Sequence, residues 1–296
     1  MGVYGVPVIR FRHDAKGLKG VEKMKFFLAT LICGLLAVSV AAQRGGQPIP
    51  VRPQQQTFDT AAGPVKITPI YHATVLIEIP GFNIYIDPAK PAPLDDLPSA
   101  QLILITDVHP DHMDVDALVT LGNTGARGTQ VIAPPAVLAD PKFAKAIYDN
   151  TSGAKSLSNG ETTMAVRNMW TIEAVPMYNL TRKMPNGEPY HVKGRGNGYV
   201  MTYGGKRFYF SGDTEGIPEM RALKDIDVAF VCMNVPYTMT PEEAADAVKA
   251  FHPKVVIPYH YQGSDPTVFK KALEGTGIEV RLLDFYPKLP AAKGGA

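Results

Sequence analysis

One short stretch of the chain, residues 107–112, constrains its fold and its chemistry more than any other. The stretch reads Asp-Val-His-Pro-Asp-His and directly follows the apolar run 102–106. We interpret residues 101–106 as a buried strand and residues 113–121 as a helix, so two aspartates and two histidines lie on the turn between them. Catalytic groups are often found on such turns, because a rigid scaffold holds them at the surface.

The four polar side chains of this turn are suited to metal binding. Imidazole nitrogen and carboxylate oxygen are ligands for zinc, manganese and iron, and alternate residues of a short turn can face two neighbouring ions. The alternative is a polar loop with incidental histidines. Only six histidines lie beyond residue 42 and two of them are here, which favours a metal site. The candidate ligands are Asp107, His109, Asp111 and His112.

The first 42 residues have the pattern of a signal peptide with an upstream leader. Basic residues at positions 19, 23 and 25 precede an apolar run over 26–40, which ends in two alanines before Gln43. This pattern is typical of a secretory signal cleaved after Ala42 or Ala41. The run has about 15 residues and a transmembrane helix needs roughly 20, so we expect no stable membrane anchor after cleavage. The predicted location is therefore secreted or periplasmic.

Cleavage of the leader changes the charge of the protein. Residues 1–42 contain six Lys or Arg and two acidic residues, so their removal lowers the formal net charge from +2 to −2. A slightly acidic domain lacks the broad cationic surface that nucleic-acid binding requires, so we expect no nucleic-acid partner. Cys232 is then the only cysteine, and its apolar surroundings predict a buried core thiol.

The remainder of the chain predicts one folded domain over 65–296, after a flexible lead-in over 43–64 that is rich in Gln, Pro and Gly. Strand-like runs come first and include a hairpin predicted at Gly204 and Gly205. Apolar runs then alternate with helices, and one helix is expected to begin at Pro241 because Thr240 and Glu243 can form a capping box. This order predicts an α/β fold in which sheet layers are covered by helices.

Three more candidate ligands stand near the ends of predicted strands. His191 lies in a glycine-rich loop before a strand, Asp213 follows the run 208–212, and His260 follows the run 255–259. In open sheets, sites form outside the carboxyl ends of the strands. Each of these residues by itself could be an ordinary loop residue, but together with residues 107–112 they indicate one metal centre.

The order of these motifs resembles the metallo-β-lactamase superfamily of metal-dependent hydrolases over about residues 65–285. The family's loop usually reads His-x-His-x-Asp-His, and a further His, an Asp in a Gly-Asp turn and a last His follow it. The resemblance implies a four-layer αββα sandwich that holds two divalent metal ions, with zinc expected first and manganese or iron as alternatives. In this sequence the family's motif corresponds to Asp107-x-His109-x-Asp111-His112, His191, Asp213 and His260.

The resemblance also implies how the ligands divide between the two ions. Asp107 departs from the family, which commonly has His at that position, and a carboxylate there makes the first site harder and more anionic. The identity of the metal and the occupancy of both sites therefore stay open. The resemblance implies Asp107, His109 and His191 around one ion, Asp111, His112 and His260 around the other, and Asp213 between them.

The activity that the resemblance implies is hydrolysis of an ester, lactone, amide or phosphodiester bond of a small-molecule substrate by metal-bound hydroxide. Asp111 is the expected catalytic residue, since it can position that hydroxide and relay its proton. Two alternatives stay open: an iron-dependent redox enzyme on the same fold, and a catalytically silent metal-binding protein.

Three further features have two interpretations each. The loop 179–198 carries an excess of cations, which either attract an anionic substrate or only keep the loop solvated. Asp87 ends a strand, and we expect it to orient a ligand imidazole. His72 either faces the cleft or belongs to a strand end. The loop cations are Arg182, Lys183, Lys193 and Arg195, against the single acid Glu188.

Overall fold

Two seven-stranded sheets form one after the other along the chain in the computed structural model, which describes residues 54–124 and 128–289. The predicted signal peptide and leader at 1–42 lie outside the described residues. The strands of the first sheet are β1 (Gln56–Thr60), β2 (Gly63–Tyr71), β3 (Thr74–Ile79), β4 (Phe82–Ile86), β5 (Leu102–Leu104), β6 (Gln130–Ala133) and β7 (Gly153–Ser156). Those of the second are β8 (Thr162–Ala165), β9 (Trp170–Met177), β10 (Gly196–Tyr203), β11 (Lys206–Phe210), β12 (Val228–Cys232), β13 (Val255–Tyr259) and β14 (Glu279–Val280).

Both sheets follow the same plan. Strands β1 to β4 are antiparallel and β4 to β7 are parallel, and in the second sheet β8 to β11 are antiparallel while β11 to β14 are parallel. The predicted hairpin is confirmed, because Tyr203 pairs with Lys206 across Gly204 and Gly205, which both have positive φ. Parallel neighbours end at one edge, so the turns after β4, β5, β11 and β13 can form a single site.

Helices cover the outer faces of both sheets. On the first sheet, Leu118 and Phe143 pack with Ile103 of β5 in one buried cluster. On the second, the ring of Phe251 meets that of Tyr209 at 5.9 Å between centroids. The α/β fold, a four-layer αββα sandwich, is thereby confirmed. The helices are α1 (Val115–Leu121), α2 (Pro135–Leu138), α3 (Pro141–Asn150), α4 (Pro218–Arg221), α5 (Pro241–Phe251) and α6 (Pro266–Ala272).

The structure corrects the lead-in predicted for residues 43–64 in its described part. Residues Gln56–Thr60 form an edge strand that pairs antiparallel with β2. Phe58 is buried there, and its ring contacts that of Phe208 from the second sheet at 5.9 Å between centroids. The segment is polar in composition, but hydrogen bonds to β2 and one buried aromatic ring hold it in a strand. Neither of these contacts produces a periodic pattern of apolar residues in the sequence.

The structure confirms one of the two predicted helix starts and shifts the other. Helix α5 begins at Pro241, and Thr240 and Glu243 form the predicted capping box. Helix α1 begins at Val115, two residues later than expected, because the Asp114 carboxylate caps it by accepting from the Asp116 N–H at 2.8 Å. The turn with the candidate ligands is therefore longer than predicted by two residues.

The site is positioned where the two sheets touch. The Asn197 N–H at the start of β10 donates to the Thr106 carbonyl just beyond β5, at 2.8 Å, and the Tyr199 hydroxyl donates to the Ile105 carbonyl at 2.7 Å. A Cβ at Gly196 would lie 2.8 Å from the Thr106 oxygen, so this approach requires glycine. The contact brings the long loop before β10 beside the turn that follows β5.

Candidate metal centre

All seven predicted ligands meet at this edge, together with one residue whose role the sequence left open, His72. The cluster divides into three groups, two of which share His260, and within each group the ligand atoms lie within 4.8 Å of one another. The groups are Asp107, His109 and His191; His112, Asp213 and His260; and His72, Asp111 and His260.

The first group combines the turn after β5 with the loop before β10. The Asp107 Oδ2 atom lies 2.9 Å from His109 Nδ1 and 3.8 Å from His191 Nε2. The Asp213 Oδ2 atom completes it, at 3.2 Å from His191 Nε2. Asp107 is fully buried and His191 nearly so, whereas His109 is partly open to the cleft.

The second group lies on the other side of Asp213. The carboxylate oxygens of Asp213 are 3.4 Å from His112 Nε2 and 3.5 Å from His260 Nε2. The Asp111 Oδ2 atom lies 3.3 Å from His260 Nε2 and 3.8 Å from His112 Nε2. Asp213 therefore faces histidines of both groups, which is the arrangement that the resemblance implied for a bridging carboxylate.

Asp87 and Thr106 hold the imidazole of His112 in place. Asp87 is completely buried, and its Oδ2 atom accepts from His112 Nδ1 at 2.8 Å. Thr106 fixes that carboxylate, because its N–H and its hydroxyl donate to the two oxygens at 2.7 and 2.6 Å. A hydrogen bond at Nδ1 leaves Nε2 free to bind a metal ion. Asp87 thus takes the orienting position that the sequence predicts for it.

His72 faces the cleft and not the core. Its backbone adopts a left-handed φ of 55°, and its Nε2 atom lies 3.0 Å from Asp111 Oδ2. The Tyr286 hydroxyl hydrogen-bonds to the other ring nitrogen at 2.7 Å, and the ring centroid lies 3.8 Å from that of His260. A non-glycine residue with this φ is strained, and such strain is common at functional sites.

The loop that carries His191 is held at two points. Asn179 accepts from the His191 N–H and ring Nδ1 at 2.6 and 3.0 Å, which turns Nε2 towards Asp213. The buried Glu215 carboxylate accepts the backbone N–H groups of Leu180 and Thr181 at 2.6 and 2.8 Å, and that of the next residue at 2.9 Å. These contacts make the loop a fixed wall of the site.

Three of the four loop cations are paired with carboxylates. Arg182 bridges Glu215 and Glu243, and Lys193 pairs with Glu219. The Arg195 guanidinium binds both oxygens of Asp107, through Nε at 3.1 Å and Nη2 at 3.0 Å. Lys183 is exposed and has no ion-pair partner in the described part of the chain.

Sequence reasoning missed Asn179, Glu215 and Tyr286, and it did not pair Arg195 with Asp107. His72 and Tyr286 are 214 positions apart, and Arg195 and Asp107 are 88 apart. No local spacing connects such residues. Only the positive charge of the loop was a visible signal, and it could not show which carboxylate each cation meets.

The three carboxylates of the cluster are ionised. Burial alone raises the pKa of Asp107, but His109 and Arg195 outweigh it and lower that pKa to about 2. Burial also opposes ionisation of Asp111 and Asp213, and neighbouring imidazoles outweigh it and hold the pKa of each carboxyl well below its usual range. The cluster thus offers charged oxygens at neutral pH.

The side chains fit a divalent cation. His112 Nε2 and Asp213 Oδ1 are buried and have no hydrogen-bond partner among the described residues, although both point into the cluster. Imidazole nitrogens with carboxylate oxygens are a donor set for zinc, manganese or iron. The cluster opens into a cleft of about 330 Å³, whose wall also includes Tyr190, Asn234, Tyr237 and Gln262.

Fold and site together define a metal-dependent hydrolase, and the comparisons agree. A family model described as a beta-lactamase superfamily domain matches residues 66–260. A UPF0173 metal-dependent hydrolase from Deinococcus radiodurans is 30% identical over 236 residues, which cover 74% of this chain and 96% of the relative. The chain therefore belongs to the metallo-β-lactamase superfamily and, within it, to the UPF0173 metal-dependent hydrolases.

One solved structure supports the same conclusion, and a second shares the fold. A protein from Parabacteroides distasonis is 38% identical with a TM-score of 0.68, and the match covers 77% of this chain and 97% of that one. A metallohydrolase from Ignicoccus hospitalis is 23% identical with a TM-score of 0.58, over 74% of this chain and 95% of that one. The second likeness shows the fold alone.

We expect Asp87→Asn to lower zinc affinity by about 10- to 100-fold, because the neutral amide no longer fixes the His112 imidazole as a charged acceptor does. Competition with a chromophoric chelator measures this affinity. Asp227→Asn is the matched control, since Asp227 is also buried but pairs with Lys254, outside the cluster. Equal zinc affinities in the Asp87 variant and the wild type would show that His112 needs no such support.

Proposed function

We propose that the chain hydrolyses an ester, lactone, amide or phosphodiester bond of a small molecule with two divalent ions, zinc foremost. The observation that carries this proposal is the position of Asp213, whose carboxylate lies 3.2 Å from His191 Nε2 and 3.4 Å from His112 Nε2. One carboxylate between two histidine groups is suited to bridging two ions. Ions bound there would polarise the scissile group and lower the pKa of a water molecule to roughly 7.

Asp111 is the residue that we assign to proton transfer. Its side chain is 41% exposed, whereas those of Asp107 and Asp213 are 0% and 5% exposed. Asp111 is therefore the carboxylate of the cluster that is most open to a water molecule in the cleft. His72 and His260 hold its Oδ2 atom from two sides, so the carboxylate has one fixed orientation in which it can position water and accept a proton.

The cleft wall favours a neutral substrate. Tyr190 and Tyr237 meet edge to face at 5.1 Å between centroids, and 44% of Tyr237 is exposed. None of the four loop cations lines the cleft, and only Lys183 lacks a carboxylate partner among the described residues. These contacts remove most of the support for the anionic substrate that the loop composition suggested. We propose a neutral ester, lactone or amide as the first choice.

A redox enzyme is the second candidate, and the donor set is the observation that favours it. Three carboxylates, those of Asp107, Asp111 and Asp213, make the cluster harder than one in which histidine replaces Asp107. Iron and manganese accept such ligands well. Elemental analysis of protein purified from its natural source distinguishes this candidate, which requires iron, from a zinc hydrolase.

We expect the metal-loaded chain without residues 1–42 to hydrolyse at least one neutral ester, lactone or amide of a substrate panel. His112→Ala should lower that turnover by more than about 100-fold. Loss of the group that hydrogen-bonds to a metal ligand usually costs about 10- to 100-fold, and loss of the ligand itself should cost more. The control is His252→Asn, because His252 ends helix α5 and binds the Thr276 carbonyl outside the cluster. Turnover that survives in His112→Ala, or no turnover of any panel member, would contradict the proposal.

We also propose that the protein is exported. The support is the basic and apolar pattern over residues 19–43, whose residues lie outside those described. Among the described residues, no helix is long and apolar enough to cross a membrane. We expect the protein recovered from outside the cytoplasm to begin at Gln43 or Ala42 when its N-terminus is sequenced. An intact residue 1–42 segment on all of the cellular protein would contradict export by cleavage.

A further inference from the structure

The pairing of Asp107 with Arg195 makes the two halves of the metal centre electrically different. Arg195 donates to both oxygens of Asp107 in a fork, and its Nη2 atom also lies 3.3 Å from His109 Nε2. The Asp107 side chain is fully buried and that of Arg195 is 23% exposed. A buried, two-point arginine–carboxylate pair is strong and poorly screened by solvent.

Contacts of both its backbone and its side chain hold Arg195 in this place. The Arg195 N–H donates to the Val192 carbonyl at 3.1 Å, across a turn in which Gly194 has a φ of 86°. The next residue, Gly196, makes the close approach to Thr106 described above. The Nη2 group also donates to the Tyr190 carbonyl at 2.8 Å. The guanidinium is thus held by contacts with Asp107, His109 and the Tyr190 carbonyl.

In the part of the chain that the structure describes, no lysine or arginine pairs with the carboxylate of the other group. Within the described residues, the ion-pair partners of Asp111 are the histidines His72, His112 and His260, and none is a lysine or arginine. The charge of Asp111 is therefore available to a metal ion, whereas that of Asp107 is already balanced. A divalent ion next to Asp107 would also lie close to a fixed positive charge, which repels it.

We propose that Arg195 makes the two metal positions unequal, with tight binding at Asp111, His112 and His260 and weak binding at Asp107, His109 and His191. This inference rests on the two-ion centre proposed above. Its consequence is that the centre holds one ion when metal is scarce and two when metal is abundant. Arg195 then acts as a positioning residue that sets the metal concentration at which the second ion enters.

The test is a binding titration and needs no substrate. Full-length protein is dialysed against chelator-buffered Zn²⁺, and separately Mn²⁺, and the bound metal is counted by elemental analysis. We expect two classes of site whose dissociation constants differ by at least about tenfold. His112→Ala should remove the tight class, and His109→Ala the weak class, which assigns each class to its group.

Arg195→Gln tests the cause. The amide can still hydrogen-bond to Asp107 but carries no charge, so the weak class should tighten by about tenfold or more while the tight class stays the same. Arg195→Lys keeps the charge and should keep the two classes apart. Lys193→Gln is the matched control, because Lys193 lies in the same loop and pairs with Glu219 without contacting the cluster. It should leave both dissociation constants unchanged.

Several results would overturn the inference. Two equal dissociation constants in the wild type would do so whatever the variants show. Loss of the weak class in Arg195→Gln would mean that Arg195 only holds Asp107 in place as a ligand. Absence of bound metal in every protein would instead refute the metal centre itself, so the two failures are distinguishable.

Discussion

The contact between the end of β5 and the start of β10 is the interaction on which the site depends. The Asn197 N–H reaches the Thr106 carbonyl at 2.8 Å only because Gly196 has no side chain. Gly212 is close-packed at the same place, since a Cβ there would lie 2.5 Å from the Met177 sulfur. One sheet supplies residues 107–112 and the other supplies His191, Asp213 and His260. The candidate metal centre therefore forms only when the two sheets are packed together.

This arrangement concentrates buried charge, which is costly unless every group has a partner. Asp87 is paired with Thr106 and His112, and Asp107 with Arg195. Asp213 has imidazoles on both sides but an oxygen without a hydrogen bond among the described residues. A site of this kind is stabilised by the cations it binds, because ligand binding to the folded state shifts the folding equilibrium. Fold and metal binding thus support each other.

Most of the site was predictable because its ligands follow strands that end at one edge. Residues 107–112, Asp213 and His260 each come directly after an apolar run, and the structure brings them together with His191. The partners that orient them were not predictable, since Asn179, Glu215 and Tyr286 act through contacts that span many positions of the chain. Strand β1 was missed for a similar reason, because its order comes from pairing with β2.

Anomalous diffraction from crystals of the metal-loaded protein, recorded at the absorption edge of the bound metal, tests the central claim most directly. We predict two peaks, one on either side of the Asp213 carboxylate, each contacted by histidines from both sheets. His109 and His191 should contact one peak, and His112 and His260 the other. Peaks away from Asp213, or metal held by residues of one sheet alone, would contradict it.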